Sequence, residues 1–340
     1  MSDTKQSVFV YDDRMDLMVF ADREGELHPV RSVSDWQVRR ADILRAMELV
    51  MGQLPPEGRA VDPAVDIKTE TALDDGCVRR RISFAPEADD RIPAYLFLPP
   101  AISQAVPGVL CLHQTTEIGK GEPAGIGGKP NLHYARELAA RGFVTLAPDY
   151  PKFGDYEIDV YERGYASATM KAIFNHMRAL DLLQSLPEVR RDRLGCIGHS
   201  LGGHNTLFLA AFDHRVEAAV TSCGFNSFLK YKSGDISGWS HDGYMPRIAQ
   251  WYDADATQMP FDFAEVLGAI APRSVFISAP EDDSPFTMDG VQDCVRAARP
   301  VFELLHADGE LVSVHPPCAH DFPPDIREQA YSFLEDRLSC

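Results

Sequence analysis

The pattern of hydrophobic positions changes near residue 106 of this chain. From there on, short apolar runs alternate with longer stretches in which apolar residues recur at helical spacing. We predict strands in this part at 109–112, 143–146, 194–197, 218–221, 274–277 and 311–314. Strands that alternate with helices are typical of an α/β fold, in which helices flank a mostly parallel sheet.

Helices are predicted between these strands and after the last one. One begins at Asn131 and ends at Gly142, a second covers 166–186 and ends before Pro187, and the last covers 324–338. Right-handed crossovers through such helices bring the C-terminal ends of parallel strands to one edge of the sheet. Open α/β sheets bind their ligands at that edge.

The first part of the chain has a different pattern. Ser34 is predicted to cap a helix that continues to Val50 and ends at Gly52. We interpret residues 1–60 as an N-terminal helical extension. Its apolar helix face predicts either a homodimer contact or a cover over the pocket.

The remaining residues, 61–340, are predicted to form the main domain. It begins with an antiparallel hairpin of two strands at 78–84 and 94–98, which precedes the parallel strands.

A long connection joins the strands predicted at 218–221 and 274–277. Its residues, about 224–270, are rich in aromatic side chains. A long connection at the ligand edge is typical of a lid or a pocket wall, although the same aromatic residues could simply pack extra helices together. Within it we predict Trp239 and Tyr244 as substrate contacts.

One short motif lies between a predicted strand and a helical stretch. The run from Gly198 to Gly202 reads Gly-His-Ser-Leu-Gly and follows the strand at 194–197. A serine on so tight a strand-to-helix turn exposes its hydroxyl, and the glycines allow close backbone approach. Such a motif also occurs by chance, and serine is a common helix cap. In this context we interpret Ser200 as a candidate nucleophile.

A serine nucleophile needs an imidazole to take its proton and a carboxylate to orient that imidazole. His320 lies in a loop after the last predicted strand. Three neighbouring acids, Glu281, Asp282 and Asp283, follow the strand at 274–277. We favour Asp283 and keep Asp282 as the alternative, because spacing along the chain does not separate them.

Two backbone N–H groups are expected to stabilise the oxyanion that forms during acyl transfer. One belongs to Leu201, which follows the nucleophile. The other is expected in the loop after the strand at 109–112, where we favour Thr115 and keep Gln114 as the alternative.

Three other histidines lie near these residues. His113 ends a strand and is expected to hold the oxyanion loop in place. His199 and His204 flank the motif, but the backbone direction predicts that they turn away from the serine hydroxyl and serve in packing or substrate contact.

These motifs together resemble the α/β-hydrolase superfamily, and within it the bacterial esterases similar to dienelactone hydrolases and acetyl xylan esterases. The resemblance covers most of residues 75–338 and is carried by His113-Gln114-Thr115, Ala147-Pro148-Asp149-Tyr150, Gly198 to Gly203, Ala271-Pro272-Arg273, Ala279 to Phe286 and His320-Asp321-Phe322-Pro323. Dienelactone hydrolases have a cysteine at the position of Ser200, so their lactone substrate is not implied.

The resemblance implies a role for each candidate residue. Ser200 is the nucleophile, Asp283 the acid and His320 the base. Leu201 and Thr115 supply the oxyanion donors.

The predicted function is a serine hydrolase of carboxylic esters that works through an acyl-enzyme and takes a small-molecule ester. One alternative is a peptidase or amidase similar to the prolyl oligopeptidases. The other is a binding protein that keeps the fold without catalysis. No cofactor is expected, and no Cys-x-x-Cys or His-x-x-x-His pair indicates a metal.

Composition narrows the partners further. The chain carries 51 acidic and 33 basic side chains, a formal charge of -18, so nucleic acid and an anionic membrane surface would be repelled. No apolar run is long enough to span a bilayer, and the first residues lack the pattern of a signal peptide, so we expect a cytoplasmic protein. The seven scattered cysteines indicate buried thiols rather than a disulfide framework.

Overall fold

A computed structural model of the protein describes residues 9–339. Two short strands, β1 (Val19–Ala21) and β2 (Leu27–Pro29), form an antiparallel hairpin near the beginning. The main sheet consists of β3 (Asp66–Ala72), β4 (Val78–Phe84), β5 (Ile92–Leu98), β6 (Val106–Leu112), β7 (Val144–Pro148), β8 (Val189–His199), β9 (Val216–Ser222), β10 (Ser274–Ser278) and β11 (Leu311–Val314).

The strands of the main sheet lie in the order β11-β10-β9-β8-β6-β7-β5-β4-β3. The pairs from β11 across to β7 are parallel, whereas β7-β5, β5-β4 and β4-β3 are antiparallel. The sheet is therefore mostly parallel with an antiparallel edge. This confirms the predicted α/β fold, and β4 and β5 are the predicted hairpin.

Eight α-helices occur within residues 9–339: α1 (Val33–Met51), α2 (Tyr134–Ala140), α3 (Ala168–Ser185), α4 (Leu201–Phe212), α5 (Arg247–Tyr252), α6 (Phe263–Ile270), α7 (Met288–Leu304) and α8 (Pro324–Leu338). Alternate residues of each central strand enter opposite cores. In β6, Leu110 and Leu112 join the core under α3, α4, α6 and α7, while Val109 and Cys111 join the core under α2 and α8. Helices thus cover both faces of the sheet.

The start of α1 differs from the prediction. Ser32, not Ser34, caps the helix, because its hydroxyl accepts a hydrogen bond from the Asp35 N–H at 3.2 Å. The Asp35 carboxylate accepts one in return from the Ser32 N–H at 2.9 Å. This reciprocal pair is a capping box, which Ser34 cannot form at its position.

Helix α1 packs against α6 of the same chain. Arg39 and Glu265 form a buried ion pair at 2.7 Å, and Arg40 donates to the Ala269 carbonyl at 2.8 Å. Trp36 is buried in the same hydrophobic core as α6. The apolar face that suggested a dimer contact is therefore used within the chain, and the oligomeric state stays a prediction.

The connection between β9 and β10 contains two different parts. Its first part carries Trp239, Tyr244 and the short helix α5. Its second part is α6, every residue of which is buried, so α6 is a helix of the flanking layer. A lid or pocket wall is compatible only with the first part.

The cysteines and the helices bear on two further predictions. Within residues 9–339 all six cysteines are thiols, and all but Cys318 are buried. Cys340 lies outside the described residues. In the same part of the chain, no helix combines the length and the apolar character that a membrane span requires.

Candidate active site

Ser200 lies on a tight turn between β8 and α4. Its backbone has φ 53° and ψ -116°, a conformation that residues other than glycine rarely adopt. The Ser200 N–H donates to the Ser222 carbonyl of β9 at 2.8 Å. A Cβ at Gly198 would overlap the backbone of Gly202, and one at Gly202 would overlap the Leu112 carbonyl. The glycines are therefore required for the turn, as the motif predicts.

We expect Gly202→Ala to lower both turnover and stability. The added methyl group meets a backbone oxygen that cannot rotate away, so α4 must move relative to β6. Overpacking of this kind costs about 1–3 kcal/mol. Thermal unfolding and ester turnover measure the two effects.

Gly309→Ala is the matched control for that substitution. No atom lies within 4 Å of a Cβ added at Gly309, and its φ is not positive. A Gly202→Ala protein that unfolds and turns over like Gly309→Ala would show that the turn tolerates a side chain.

His320 and Asp283 are in direct contact. Nδ1 of His320 donates to Oδ2 of Asp283 at 2.9 Å, and Asp283 is buried, with 2% of the residue's surface exposed. Oδ1 of Asp283 accepts from the Phe286 N–H at 3.3 Å. The alternative acid, Asp282, is exposed and bonds through its backbone N–H to the Cys318 carbonyl. Of the two candidates, only Asp283 orients the imidazole.

The sheet brings Ser200 to the same edge as this pair. Ser200 follows β8, Asp283 follows β10 and His320 follows β11, and β9 separates β8 from β10. Within the described residues, the Ser200 hydroxyl makes no hydrogen bond to His320. The structure thus joins the acid to the base directly and places the serine at the same edge of the sheet. The role of the serine stays a proposal.

The two predicted oxyanion donors have unpaired backbone N–H groups. Among the residues described, neither the Leu201 N–H nor the Thr115 N–H bonds to another protein group. The same is true of the Gln114 N–H, so that alternative stays open. The Gln114 side chain instead donates to Glu122 at 3.0 Å.

His113 holds the oxyanion loop, as expected. Its Nδ1 donates to the Gln114 carbonyl at 2.6 Å, and its Nε2 accepts from the Tyr150 N–H at 2.9 Å. Burial lowers the pKa of His113, so the ring stays neutral and keeps one donor and one acceptor. The loop is therefore fixed to the end of β7.

Trp239 and Tyr244 occupy different depths of the 224–270 connection. Trp239 is buried, and its ring lies 4.8 Å from that of His204. Tyr244 is half-buried, and its hydroxyl lies 2.9 Å from Oγ1 of Thr115. Tyr244 therefore links this connection to the oxyanion loop, and substrate contact by either residue stays a prediction.

His199 packs directly against His320, which the sequence analysis did not predict. The two rings lie 4.8 Å apart at an angle of 63°. Nδ1 of His199 is 3.0 Å from Oγ of Ser222. Burial, followed by the neighbouring His320, lowers the pKa of His199 well below its usual value, so this imidazole is neutral. The sequence shows that His199 directly precedes the candidate nucleophile, but it does not show that the His199 side chain points toward His320.

Cys223 is a second residue that the sequence analysis missed. It follows β9 with a positive φ of 47°, and its Sγ contacts the Asp321 carbonyl at 3.4 Å. Burial, with Asp283 nearby, raises the pKa of the Cys223 thiol well above its usual value. No sequence motif surrounds it, so only the sheet topology reveals that it lies beside His320.

Comparisons with known proteins find hydrolases and esterases. Residues 153–306 match the family described as "Glucuronyl esterase, fungi". "Putative hydrolase YtaP" of Bacillus subtilis is 26% identical over 263 residues, which are 73% of this chain and 84% of that protein. The mouse peroxisomal succinyl-coenzyme A thioesterase is 28% identical over 224 residues. The matched residues are 63% of this chain and 46% of the thioesterase.

Among solved structures, a glucuronoyl esterase from Solibacter usitatus superposes with a TM-score of 0.70. The superposition covers 97% of this chain and 98% of that chain, with 18% identity. The chain therefore has the α/β-hydrolase fold, as its motifs predicted. The matched family and the similar proteins are esterases, a thioesterase and a hydrolase, which supports the predicted hydrolase activity.

Proposed function

We propose that the protein hydrolyses carboxylic esters with a catalytic triad of Ser200, His320 and Asp283. The Ser200 hydroxyl attacks the ester carbonyl while Nε2 of His320 takes its proton, and the same proton then passes to the departing alcohol. Water attacks the resulting acyl-enzyme and gives a proton to His320, and that proton returns to the Ser200 oxygen as its bond to the acyl group breaks and the acid is released. The observation that carries this proposal is the 2.9 Å bond between His320 and the buried carboxylate of Asp283.

The oxyanion loop supports the same proposal. The N–H groups of Leu201 and Thr115 are free to donate to an oxygen that gains negative charge during attack. Tyr244 holds the Thr115 side chain at 2.9 Å, which restrains the loop before substrate arrives. Donors fixed in advance stabilise the transition state without a cost of reorganisation.

The proposed substrate is a small oxygen ester, and esters of glucuronic acid are the first to test. This choice is supported by the family match over 153–306 and by the superposition of nearly the whole chain on a glucuronoyl esterase. A thioester is the second candidate, because the mouse relative is a thioesterase. A coenzyme A substrate would have to bring several phosphates to a chain with a formal charge of -18.

A fluorophosphonate probe tests the nucleophile. We expect it to modify the peptide that contains Ser200 and to abolish turnover in step with labelling. Ser284→Ala, which removes an exposed hydroxyl near Asp283, serves as the matched control and should label normally. A probe that labels another serine while activity is lost would assign the reaction to that residue.

A matched set of substrates then separates the candidate functions. The measurement is kcat/KM for four substrates: a methyl glucuronate, a short-chain aryl ester, and the thioester and amide with the same acyl group as the aryl ester. An oxygen ester is expected to lead. A leading thioester would support the second candidate, and a leading amide would support the peptidase alternative.

A further inference from the structure

We propose that a zinc-type divalent ion binds His199, Cys223 and His320, and that this binding reversibly switches the enzyme off. The inhibition rests on the proposed function, since it requires His320 to be the base. The ion binding does not rest on it. One ring nitrogen of each histidine and Sγ of Cys223 all lie within 4.8 Å of one another.

The ligand types and distances suit such an ion. Zinc binds imidazole nitrogen and thiolate sulfur in a tetrahedron, with ligand atoms that are roughly 3.3–3.6 Å apart given its usual bond lengths. The three atoms here lie within 4.8 Å of one another, so they need to approach by at most about 1.5 Å to reach that spacing. Small side-chain rotations supply such a movement.

Both histidines are already oriented as metal ligands usually are. A ligating histidine commonly bonds through its other ring nitrogen to a carboxylate or another polar group. Nδ1 of His320 is bound to Asp283 at 2.9 Å, and Nδ1 of His199 to Ser222 at 3.0 Å. Each ring is thus left with Nε2 as its ligand atom.

Nε2 of His199 is the observation that points most directly to a ligand. The ring is fully buried, yet this nitrogen has no hydrogen-bond partner among the described residues. A buried polar atom without a partner is unfavourable, because it has lost its hydrogen bonds to water. A metal ion that uses its lone pair removes that penalty.

Cys223 completes the site from the neighbouring strand. Its Sγ–H contacts the Asp321 carbonyl at 3.4 Å, and its positive φ turns the residue at the end of β9. When the ion binds, the S–H bond breaks, sulfur forms a bond to the metal and the proton leaves to water. The buried carboxylate of Asp283 then offsets part of the added positive charge.

The site is open on one side. The His320 side chain is 26% exposed, so an ion can reach it from the ligand edge of the sheet. Three protein ligands leave a fourth position for water. Because the ion occupies Nε2 of His320, that nitrogen can no longer take the Ser200 proton, and hydrolysis stops.

Cobalt titration tests binding without any assay of activity. Co²⁺ bound by a thiolate gives a sulfur-to-metal charge-transfer band in the near ultraviolet. We expect this band in the natural protein, in Ser200→Ala and in Cys318→Ser, the matched cysteine control. We expect it to disappear in Cys223→Ser and Cys223→Ala, each checked for folding by circular dichroism and thermal unfolding.

Zinc titration tests inhibition. Zn²⁺ is expected to inhibit ester turnover, and EDTA to restore it. The Zn²⁺ concentration for half-inhibition should rise at least roughly tenfold in Cys223→Ser relative to Cys318→Ser, since loss of even a group that only orients a ligand costs this much affinity.

Several outcomes overturn the proposal. They are the absence of the cobalt band in the natural protein, a band that persists in folded Cys223→Ser, or equal inhibition of the two cysteine variants. If Ser200→Ala keeps its esterase activity while the cobalt band behaves as expected, the proposed triad fails and the metal site stands. If the band is absent while Ser200→Ala is inactive, the metal site fails alone.

Discussion

In the Ser200→Ala variant, kcat for the preferred ester is expected to fall by roughly 10⁴- to 10⁶-fold. The hydroxyl supplies the atom that forms the acyl-enzyme, and no neighbouring group replaces it. The oxyanion donors and the binding surface stay in place, so KM should change little. Steady-state kinetics with the best ester of the substrate set measures both constants.

Two controls make that result specific. Ser284→Ala should keep the activity of the natural protein, since its hydroxyl is exposed and lies outside the site. Thermal unfolding of Ser200→Ala should show an intact fold. If the variant keeps more than about a tenth of the natural kcat, the attack proceeds from another group and the proposed mechanism is wrong.

The second large effect is expected for Asp283→Asn, with a loss of about 10⁴-fold in kcat at neutral pH. An asparagine can donate an N–H toward Nδ1 of His320, which favours the tautomer whose proton sits on Nε2. That nitrogen then cannot accept the Ser200 proton. The substitution barely changes the volume of the buried side chain, so the loss reports on the hydrogen bond.

Asp282→Asn is the matched control, because the two acids are adjacent and only Asp283 contacts the imidazole. The Asp282 side chain is exposed, so we expect kcat within about twofold of the natural value. A larger loss for Asp282→Asn than for Asp283→Asn would identify Asp282 as the acid, and comparable losses would mean that both contribute.

The fold was predictable where burial leaves a strong pattern. Strands β6, β7, β9 and β10 and the second half of β8 are largely buried on both faces, so they stand out in the sequence as apolar runs. Strand β3 does not, because all seven of its residues are exposed and most are polar, and its position depends on pairing with β4. Helix α7 was not identified either, since it contains Pro300 in its interior.

The sequence predicts which loops carry the candidate residues and in what order they follow along the chain. The motif at Ser200 and the positions after β10 and β11 indicate which loops carry the acid and the base. Burial, which the sequence does not show, separates Asp283 from Asp282. His199 and Cys223 meet His320 only because neighbouring strands end at one edge, so no local pattern predicted their contact.

The contact between α1 and α6 has a consequence during synthesis. Arg39 bonds to Glu265, which lies 226 positions later in the chain. At usual rates of translation, roughly 10–45 s pass between the two. Throughout that interval β1 can pack against the first helix, but the side that α6 covers, including part of Trp36, has no cover. The nascent polypeptide therefore exposes an apolar surface to solvent until the second half of the protein has emerged.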